Sequence, residues 1–239
     1  MKKLLFVLCC MFCTLAFASC SKEDSVTAVP DTPNVDNGNN NGGGNGNTGS
    51  ENGNGADNNG GEKPQNGKIL IVCFSRAGEN WQVDYVDRGN TAVMADYIKE
   101  FTGADMFEIE PSVPYPTDYQ EMLQVSNHEA ETNARPAIKN KLENLDQYDV
   151  VFIGSPIWRG NPPMIMRTFY ESYPGLATKT IVPFGTHGGS GIGSCSSLIR
   201  TYFPDAKLLE SLGIAGTDIR SEQAKERVEN WIERIGYKK

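Results

Sequence analysis

The C-terminal part of the sequence predicts an α/β fold, a doubly wound parallel sheet of five strands with helices on both faces. Short, continuous apolar segments are typical of parallel strands that are buried on both faces. Segments with helical periodicity alternate with these strands, and turn residues separate the two kinds of segment. Because strands that alternate with helices are joined by right-handed crossovers, we expect one parallel sheet.

Five segments of the region 68–239 have the pattern of strands. Three are continuous apolar runs, such as KILIVCF in the first, and one alternates in polarity and is expected nearer an edge. The predicted strands are 68–74, 105–110, 149–155, 180–185 and 207–212. The region is long enough for one domain with a substantial core.

Helical segments follow the strands. The first is predicted to begin near Thr91 and to end at Gly103, because glycine suits a helix C-terminus. The last is amphipathic and is predicted to begin at Ser221, a good N-cap residue, and to extend to Ile235. The other predicted helices are 117–134, 164–173 and 192–203.

Residues 1–20 have the pattern of a secretion signal. Two lysines precede an apolar stretch that is short for a membrane span, and small residues precede Cys20. The pattern resembles a bacterial lipoprotein signal, whose cysteine, here Cys20, is acylated and becomes the mature N-terminus. This resemblance implies an extracytoplasmic protein that a lipid anchors to a bacterial membrane, and Ser21 is compatible with the outer membrane. The alternative is an ordinary cleaved signal with an incidental cysteine.

Residues 21–67 have the composition of a disordered tether. They contain eleven glycines and twelve asparagines and no aromatic residue, so they cannot bury enough apolar surface to fold. A flexible chain of this length spans roughly 40 Å. A prion-like segment or a glycan acceptor is the alternative interpretation.

Charge and cysteine content limit the class of protein. The chain has a formal net charge of −8 and no basic patch, so we expect no nucleic-acid partner. Four of the six cysteines lie within residues 1–20, which leaves Cys73 and Cys195. Cys73 lies in an apolar strand and is expected in the core, although the sequence also permits a disulfide with Cys195.

Ligands of doubly wound sheets bind at the carboxyl ends of the strands, where the winding direction reverses. The loops after the first, third and fourth predicted strands are therefore the places to look for a site. In the first loop, Ser75 and a helix that starts near Thr91 place hydroxyl and free N–H groups together, which favours an anion such as phosphate. A plain strand–helix turn is the alternative. The segment Gly78–Arg88 is inserted into this loop.

The second and third loops have ligand-binding features of a different kind. Trp158, in SPIWRGNPP, offers a face for stacking on a planar ligand, or alternatively packs onto the sheet edge. The glycines of THGGSGIG allow a ligand to approach the backbone closely. His187 lies in this third loop, although a lone histidine is more often structural than catalytic. His128 is expected on the surface.

Together the three loops predict a site for a mononucleotide with a flat ring. At these residues the sequence resembles the flavodoxin-like family, and in particular a branch with the pattern FSRAGENW…GNT, then PxWxGxxP, then THxGSG. The resemblance covers about residues 68–236. It implies flavin mononucleotide (FMN) as the cofactor.

The resemblance implies a role for each loop. The first would hold the phosphate, the second would line the isoalloxazine, and the third would contact the pyrimidine side of the ring. The implied cofactor-binding residues are Ser75, Arg76, Ala77, Asn80, Asn90 and Thr91 in the first loop, Pro156, Ile157, Trp158, Arg159 and Gly160 in the second, and Thr186, His187, Gly188, Gly189, Ser190 and Gly191 in the third. In flavodoxins the glycine after the stacking residue can flip its peptide, so Gly160 is the candidate here.

The insertion Gly78–Arg88 departs from the short phosphate loop of the family. It carries three carboxylates, so we expect it to bulge away from the anion. Trp81 and Tyr85 would then cover the flavin edge, or alternatively only pack within the bulge.

Three functions follow as hypotheses. The first is a lipid-anchored FMN protein that transfers electrons to a quinone or a redox partner protein. The second is an FMN-dependent reductase of quinones or related aromatics. The third is a binding module that kept the fold but lost the flavin.

Overall fold

The computed structural model describes residues 67–239. The predicted signal with Cys20, and the tether up to residue 66, lie outside the described residues. The strands are β1 (Lys68–Cys73), β2 (Gly78–Asn80), β3 (Val83–Val86), β4 (Asp105–Glu108), β5 (Tyr148–Pro156), β6 (Thr180–His187), β7 (Lys207–Leu208) and β8 (Leu212–Ala215). The helices are α1 (Asn90–Thr102), α2 (Tyr119–Glu131), α3 (Met164–Ser172), α4 (Cys195–Tyr202) and α5 (Glu222–Arg234), with 3-10 turns at Leu145–Gln147 and Pro174–Thr178.

The main sheet is parallel and has the order β4–β1–β5–β6–β7, with β8 also paired to β6. The predicted doubly wound α/β class is therefore confirmed. The chain runs outward from β1 to β4 and then crosses back to β5, so the winding direction reverses between β1 and β5. This reversal brings the ends of β1, β5 and β6 to one edge of the sheet, which is where a ligand site is expected.

The last position of the sheet is shared by two short strands, and the single predicted strand 207–212 was wrong in its extent. On β6, two residues (Val182 and Pro183) lie between the last residue that pairs with β7 and the first residue that pairs with β8. On the edge itself, three residues lie between the end of β7 and the start of β8. Pro183 has no N–H to donate, and the carbonyl of Glu210 turns away to accept from Trp231 Nε1 at 3.1 Å. The edge strand is therefore interrupted by one extra residue.

Alternate residues of the central strands pack on opposite faces. Leu70 and Val72 belong to the cluster that α3 and α4 cover, and Ile71 belongs to the cluster that α1 and α5 cover. Trp231 of α5 is fully buried in the second cluster. The sheet is thus covered on both faces, as continuous apolar strands require.

The predicted helix ends are confirmed at two positions. Gly103 has φ of +72° and its N–H donates to the Lys99 carbonyl, which closes α1. Ser221 Oγ accepts from the Ala224 N–H at 3.1 Å and caps α5. The helix α4 begins at Cys195 instead of the predicted Ile192, because the Ser194 N–H donates to Gly160 and keeps the preceding residues in a loop.

Cys73 and Cys195 are both buried and both free. His128 is exposed, as expected. Within residues 67–239, no helix is both long and apolar enough to cross a membrane. The same residues contain no group of histidine, cysteine and acidic side chains that could hold a metal ion.

Candidate functional site

A cavity of about 270 Å³ opens where the three loops meet at the ends of β1, β5 and β6. The structure therefore brings together residues that the sequence separates by more than a hundred positions. The predicted residues that line this ring cavity are Asn80, Asn90, Pro156, Ile157, Trp158, Arg159, Gly160, Thr186, His187, Gly188 and Ser190. Ala77, Gly189 and Gly191 do not line it.

A narrow slot lies against the ring cavity and shares five residues with it. The slot holds about 10 Å³. The predicted residues that line it are Ser75, Arg76, Asn80, Asn90, Thr91, Pro156, Trp158 and Thr186. It is the place where the predicted phosphate site falls.

The N-terminus of α1 faces this slot. Gly89 precedes the helix and supplies no side-chain cap, and Ser75 Oγ instead accepts from the Ala92 N–H at 3.0 Å. A side chain at Gly89 would clash, because its Cβ would lie 2.3 Å from Ser75 Oγ. The N–H groups of Asn90 and Thr91 have no intrahelical partner, so the helix end favours an anion.

Arg76 is only 7% exposed, and it both lines the slot and donates hydrogen bonds to neighbouring loops. Its terminal nitrogens donate to the carbonyls of Pro116 and Thr117, at 2.6 and 3.2 Å, and to the carbonyl of Glu79. These bonds tie the insertion to the segment before α2. The Nε atom is buried and has no hydrogen-bond partner among residues 67–239. Burial also lowers the pKa of the guanidinium.

Two further contacts fix the start of α1. Thr91 Oγ1 and Thr186 Oγ1 lie 2.8 Å apart, which joins the first loop to the third. Arg220 donates to Asn90 Oδ1 and to the carbonyl of Arg88. Arg220 was not predicted, since it lies in the turn before α5 and forms no motif with the first loop.

Trp158 is half-buried and packs at the edge of the sheet, as one interpretation of the second loop predicted, while its stacking on a planar ligand stays a prediction. Its ring packs edge-on against Phe74 and Tyr115, with centroids 5.9 and 5.2 Å away, and it also lines the ring cavity. Trp158 and Asn161 exchange backbone hydrogen bonds of 2.8 and 3.0 Å, which closes a tight turn. Arg159 and Gly160 adopt φ of +54° and +80° in that turn.

The carbonyl of Gly160 is held by the third loop. It accepts from the Ser194 N–H at 2.9 Å, so the peptide flip that the family resemblance implies would break this bond. The side chain of His187 is also fixed, because its Nδ1 accepts from the Gly189 N–H at 3.0 Å. Burial, and then the charge of Arg227, lower the pKa of His187, while Asp218 opposes them. The lowered pKa favours the neutral imidazole at neutral pH.

The insertion forms a two-stranded hairpin, β2–β3, with Trp81 and Gln82 at its turn. Its carboxylates lie outside the slot and are exposed. Trp81 is 55% exposed and lines the ring cavity, where its ring lies against Gly188. A Cβ on Gly188 would come within 2.6 Å of Trp81 Cδ1. Tyr85 is equally exposed, at 57%, but does not line the ring cavity.

Sequence reasoning missed one wall of the ring cavity. Tyr119, Met122 and Leu123 of α2 line it, together with Gly216. The spacing of Tyr119, Met122 and Leu123 places them on one face of α2, and this spacing could have indicated the wall from the sequence. That signal was weak because α2 is otherwise polar.

The order of the sheet and a ligand cavity at its reversal point define the flavodoxin-like class of doubly wound proteins. A family model described as Flavodoxin matches residues 81–235, and the chain belongs to this family.

Two solved structures of similar sequence support the membership of this family. The crystal structure of a candidate flavoprotein from Bacteroides eggerthii DSM 20697 is 34% identical, with a TM-score of 0.58, and the match covers 72% of this chain and 100% of that one. A second candidate flavoprotein, from Bacteroides uniformis ATCC 8492, is 31% identical, with a TM-score of 0.56 and coverage of 70% and 98%. No curated protein sequence matches the chain.

Proposed function

We propose that this chain binds FMN at the ring cavity and the adjoining slot, and that it transfers electrons outside the cytoplasm from a lipid anchor at Cys20. One observation carries the proposal. A slot suited to an anion lies against a cavity with an indole in its wall, at the reversal point of the sheet. A phosphorylated planar ring matches this pair of sites.

The donor groups of the slot fit a phosphate. The Arg76 Nε–H is buried without a partner, and such a group is unfavourable unless an acceptor reaches it. The free N–H groups at the start of α1 add donors and a favourable dipole. The slot holds only about 10 Å³, which is room for about one water molecule, so the hydroxyls of Ser75, Thr91 and Thr186 must separate to admit a phosphate.

The remaining residues would position the ring and tune its surroundings. The flavin, when bound, supplies the electron-transfer chemistry. Trp158 would support one side of the cavity, while the neutral His187 and the fixed Gly160 carbonyl would define the polar groups around it. Trp81 would limit the access of water from the open side.

Titration of the full chain with FMN tests the cofactor. We expect a yellow complex with one FMN per chain, and weaker binding of riboflavin because it lacks the phosphate. A chain that stays colourless and does not quench FMN fluorescence would instead support a flavin-free binding module. Turnover of NADH with menadione would identify an FMN-dependent reductase of quinones rather than an electron carrier for a redox partner protein.

The lipid anchor needs a separate test. Metabolic labelling with a radioactive fatty acid should mark the full chain and not the Cys20→Ser variant. Labelling of both, or of neither, would contradict the proposed membrane attachment.

A further inference from the structure

A second cavity, of about 490 Å³, opens between α2 and α3 on the far side of the turn that carries Trp158. Trp158 and Arg159 line both cavities. The volume lies within the range of pockets that bind small molecules. Apart from these two residues, the second cavity shares no lining residue with the ring cavity or the slot.

Two arginines line the second cavity without a carboxylate partner. Neither Arg159 nor Arg167 forms an ion pair within residues 67–239. Arg159 donates to Asn127 Oδ1 at 2.6 Å, which holds its guanidinium near α2. Arg167 Nε is shielded from solvent and has no acceptor among the described residues. The terminal nitrogens of Arg167 are not among the buried atoms and donate to no acceptor within residues 67–239, so they are available to an anionic group in the cavity.

The rest of the wall is apolar on one side and acidic on the other. Pro162, Pro163 and Met164 are buried and line the cavity beside the indole of Trp158. Glu129 and Glu131 line the cavity from α2, whereas the two prolines and Met164 lie at the start of α3. Glu129 Oε2 accepts from the Tyr115 hydroxyl at 3.0 Å, and burial raises the pKa of this carboxyl group.

The charged and apolar groups of this cavity favour one kind of anion over another. A small, doubly charged anion such as phosphate would be repelled by the two glutamates and would leave the apolar wall uncovered. A single carboxylate on a flat apolar body can instead meet the arginines at one end and cover the prolines and the indole with the other. We propose that the second cavity binds an aromatic monocarboxylate, with Arg167 as the main carboxylate ligand.

Calorimetric titration of the full chain with benzoate, without FMN, tests the proposal. We expect one saturable site. Arg167→Gln should weaken binding at least about tenfold, because a charge-assisted hydrogen bond is lost. Glu129→Gln should tighten it, since an opposing charge is removed. Arg200→Gln is the matched control, because it removes the same charge from an exposed position on α4 that lines neither cavity.

Three results would overturn the proposal: no saturable benzoate binding, equal binding to the Arg167→Gln variant, or equal binding of inorganic phosphate. If Arg167→Gln does not fold, as judged by circular dichroism, Arg167→Lys replaces it and should also weaken binding. FMN titration of the same variants keeps the two proposals separate, since benzoate binding does not require FMN.

Discussion

Thr91 Oγ1 and Thr186 Oγ1 lie 2.8 Å apart, and both threonines are buried and line the slot. One hydroxyl stands in the first turn of α1, and the other stands at the end of β6. The bond links two loops that are 95 residues apart in sequence. Because Thr186 also lines the ring cavity, the bond connects the start of α1 to a residue of the predicted ring site.

Removing both of these hydroxyls should cost less than the sum of the two single removals. Thr186→Val leaves the Thr91 hydroxyl buried without its partner, which costs about 1–2 kcal/mol of unfolding free energy. The double variant Thr91→Val/Thr186→Val removes donor and acceptor together and should lose less than the sum of the single variants. Urea unfolding of the four proteins measures this coupling. Simple additivity would mean that the two hydroxyls do not depend on each other.

Trp81 should matter for FMN binding and little for stability. Its side chain is 55% exposed, so Trp81→Ala should change the unfolding free energy by no more than about 0.5 kcal/mol. We expect the dissociation constant for FMN to rise, because one wall of the ring cavity is lost. Tyr85→Ala is the control, since Tyr85 is on the same hairpin with similar exposure and lies outside the ring cavity. If both variants bind FMN like the parent chain, the hairpin does not cover the ring.

Arg76→Lys should impair FMN binding more than riboflavin binding. Lysine keeps the charge but has neither an Nε–H nor a planar fork, so the unpartnered donor in the slot disappears. Titration with both flavins gives the ratio of affinities, which should shift toward riboflavin. Arg135→Lys is a matched control, because Arg135 pairs with Glu171 on the exposed surface. An equal loss for both flavins would indicate that Arg76 acts only through the hairpin that it holds.

His187 should make the folded state more sensitive to acid. Its pKa is lowered in the folded protein, so the unfolded chain takes up a proton first as the pH falls. The contribution of His187 to stability is therefore present above about pH 6.5, the usual histidine value, and is lost below it. Urea unfolding at pH 7.5 and pH 5.5 should show a larger loss for the parent chain than for His187→Gln. An identical loss in the two proteins would argue against a neutral His187 in the fold.

Cys73 and Cys195 should resist alkylation in the folded chain. Burial raises the pKa of both thiols, that of Cys195 to about 12, so almost no thiolate exists at neutral pH. Iodoacetamide labelling at pH 8, followed by peptide mapping, should modify both residues only after denaturation. Rapid labelling of Cys195 under native conditions would show that α4 opens locally.

The central strands, and the end of the sheet where the site lies, could be predicted because the sequence patterns that indicate them are local. The apolar runs of β1, β5 and β6 have the hydrophobicity of strands that are buried on both faces, and Gly103 and Ser221 mark helix ends by their own backbone and side-chain chemistry. The edge of the sheet was less predictable. Its interruption depends on Pro183 in the neighbouring strand and on the indole of α5, which no pattern within 207–212 contains.

The contacts that organise the candidate site are long-range. Nothing near Arg76 in the sequence indicates that its guanidinium turns to carbonyls forty residues away, or that Arg220 holds the start of α1. An isolated two-stranded hairpin is marginally stable at best, and the hydrogen bonds that Arg76 donates to this hairpin and to the segment before α2 could not be inferred from the residues of the hairpin.

The backbone conformation of Arg159, in the turn between the two cavities, matters for attempts to stabilise the protein. An arginine at φ of +54° is strained by roughly 1 kcal/mol relative to glycine, so Arg159→Gly would be an obvious choice for raising thermal tolerance. The same replacement would delete the cation that, among residues 67–239, lines both cavities. Stability and recognition are therefore in direct conflict at this residue, and a heat-resistant derivative should be sought elsewhere in the chain.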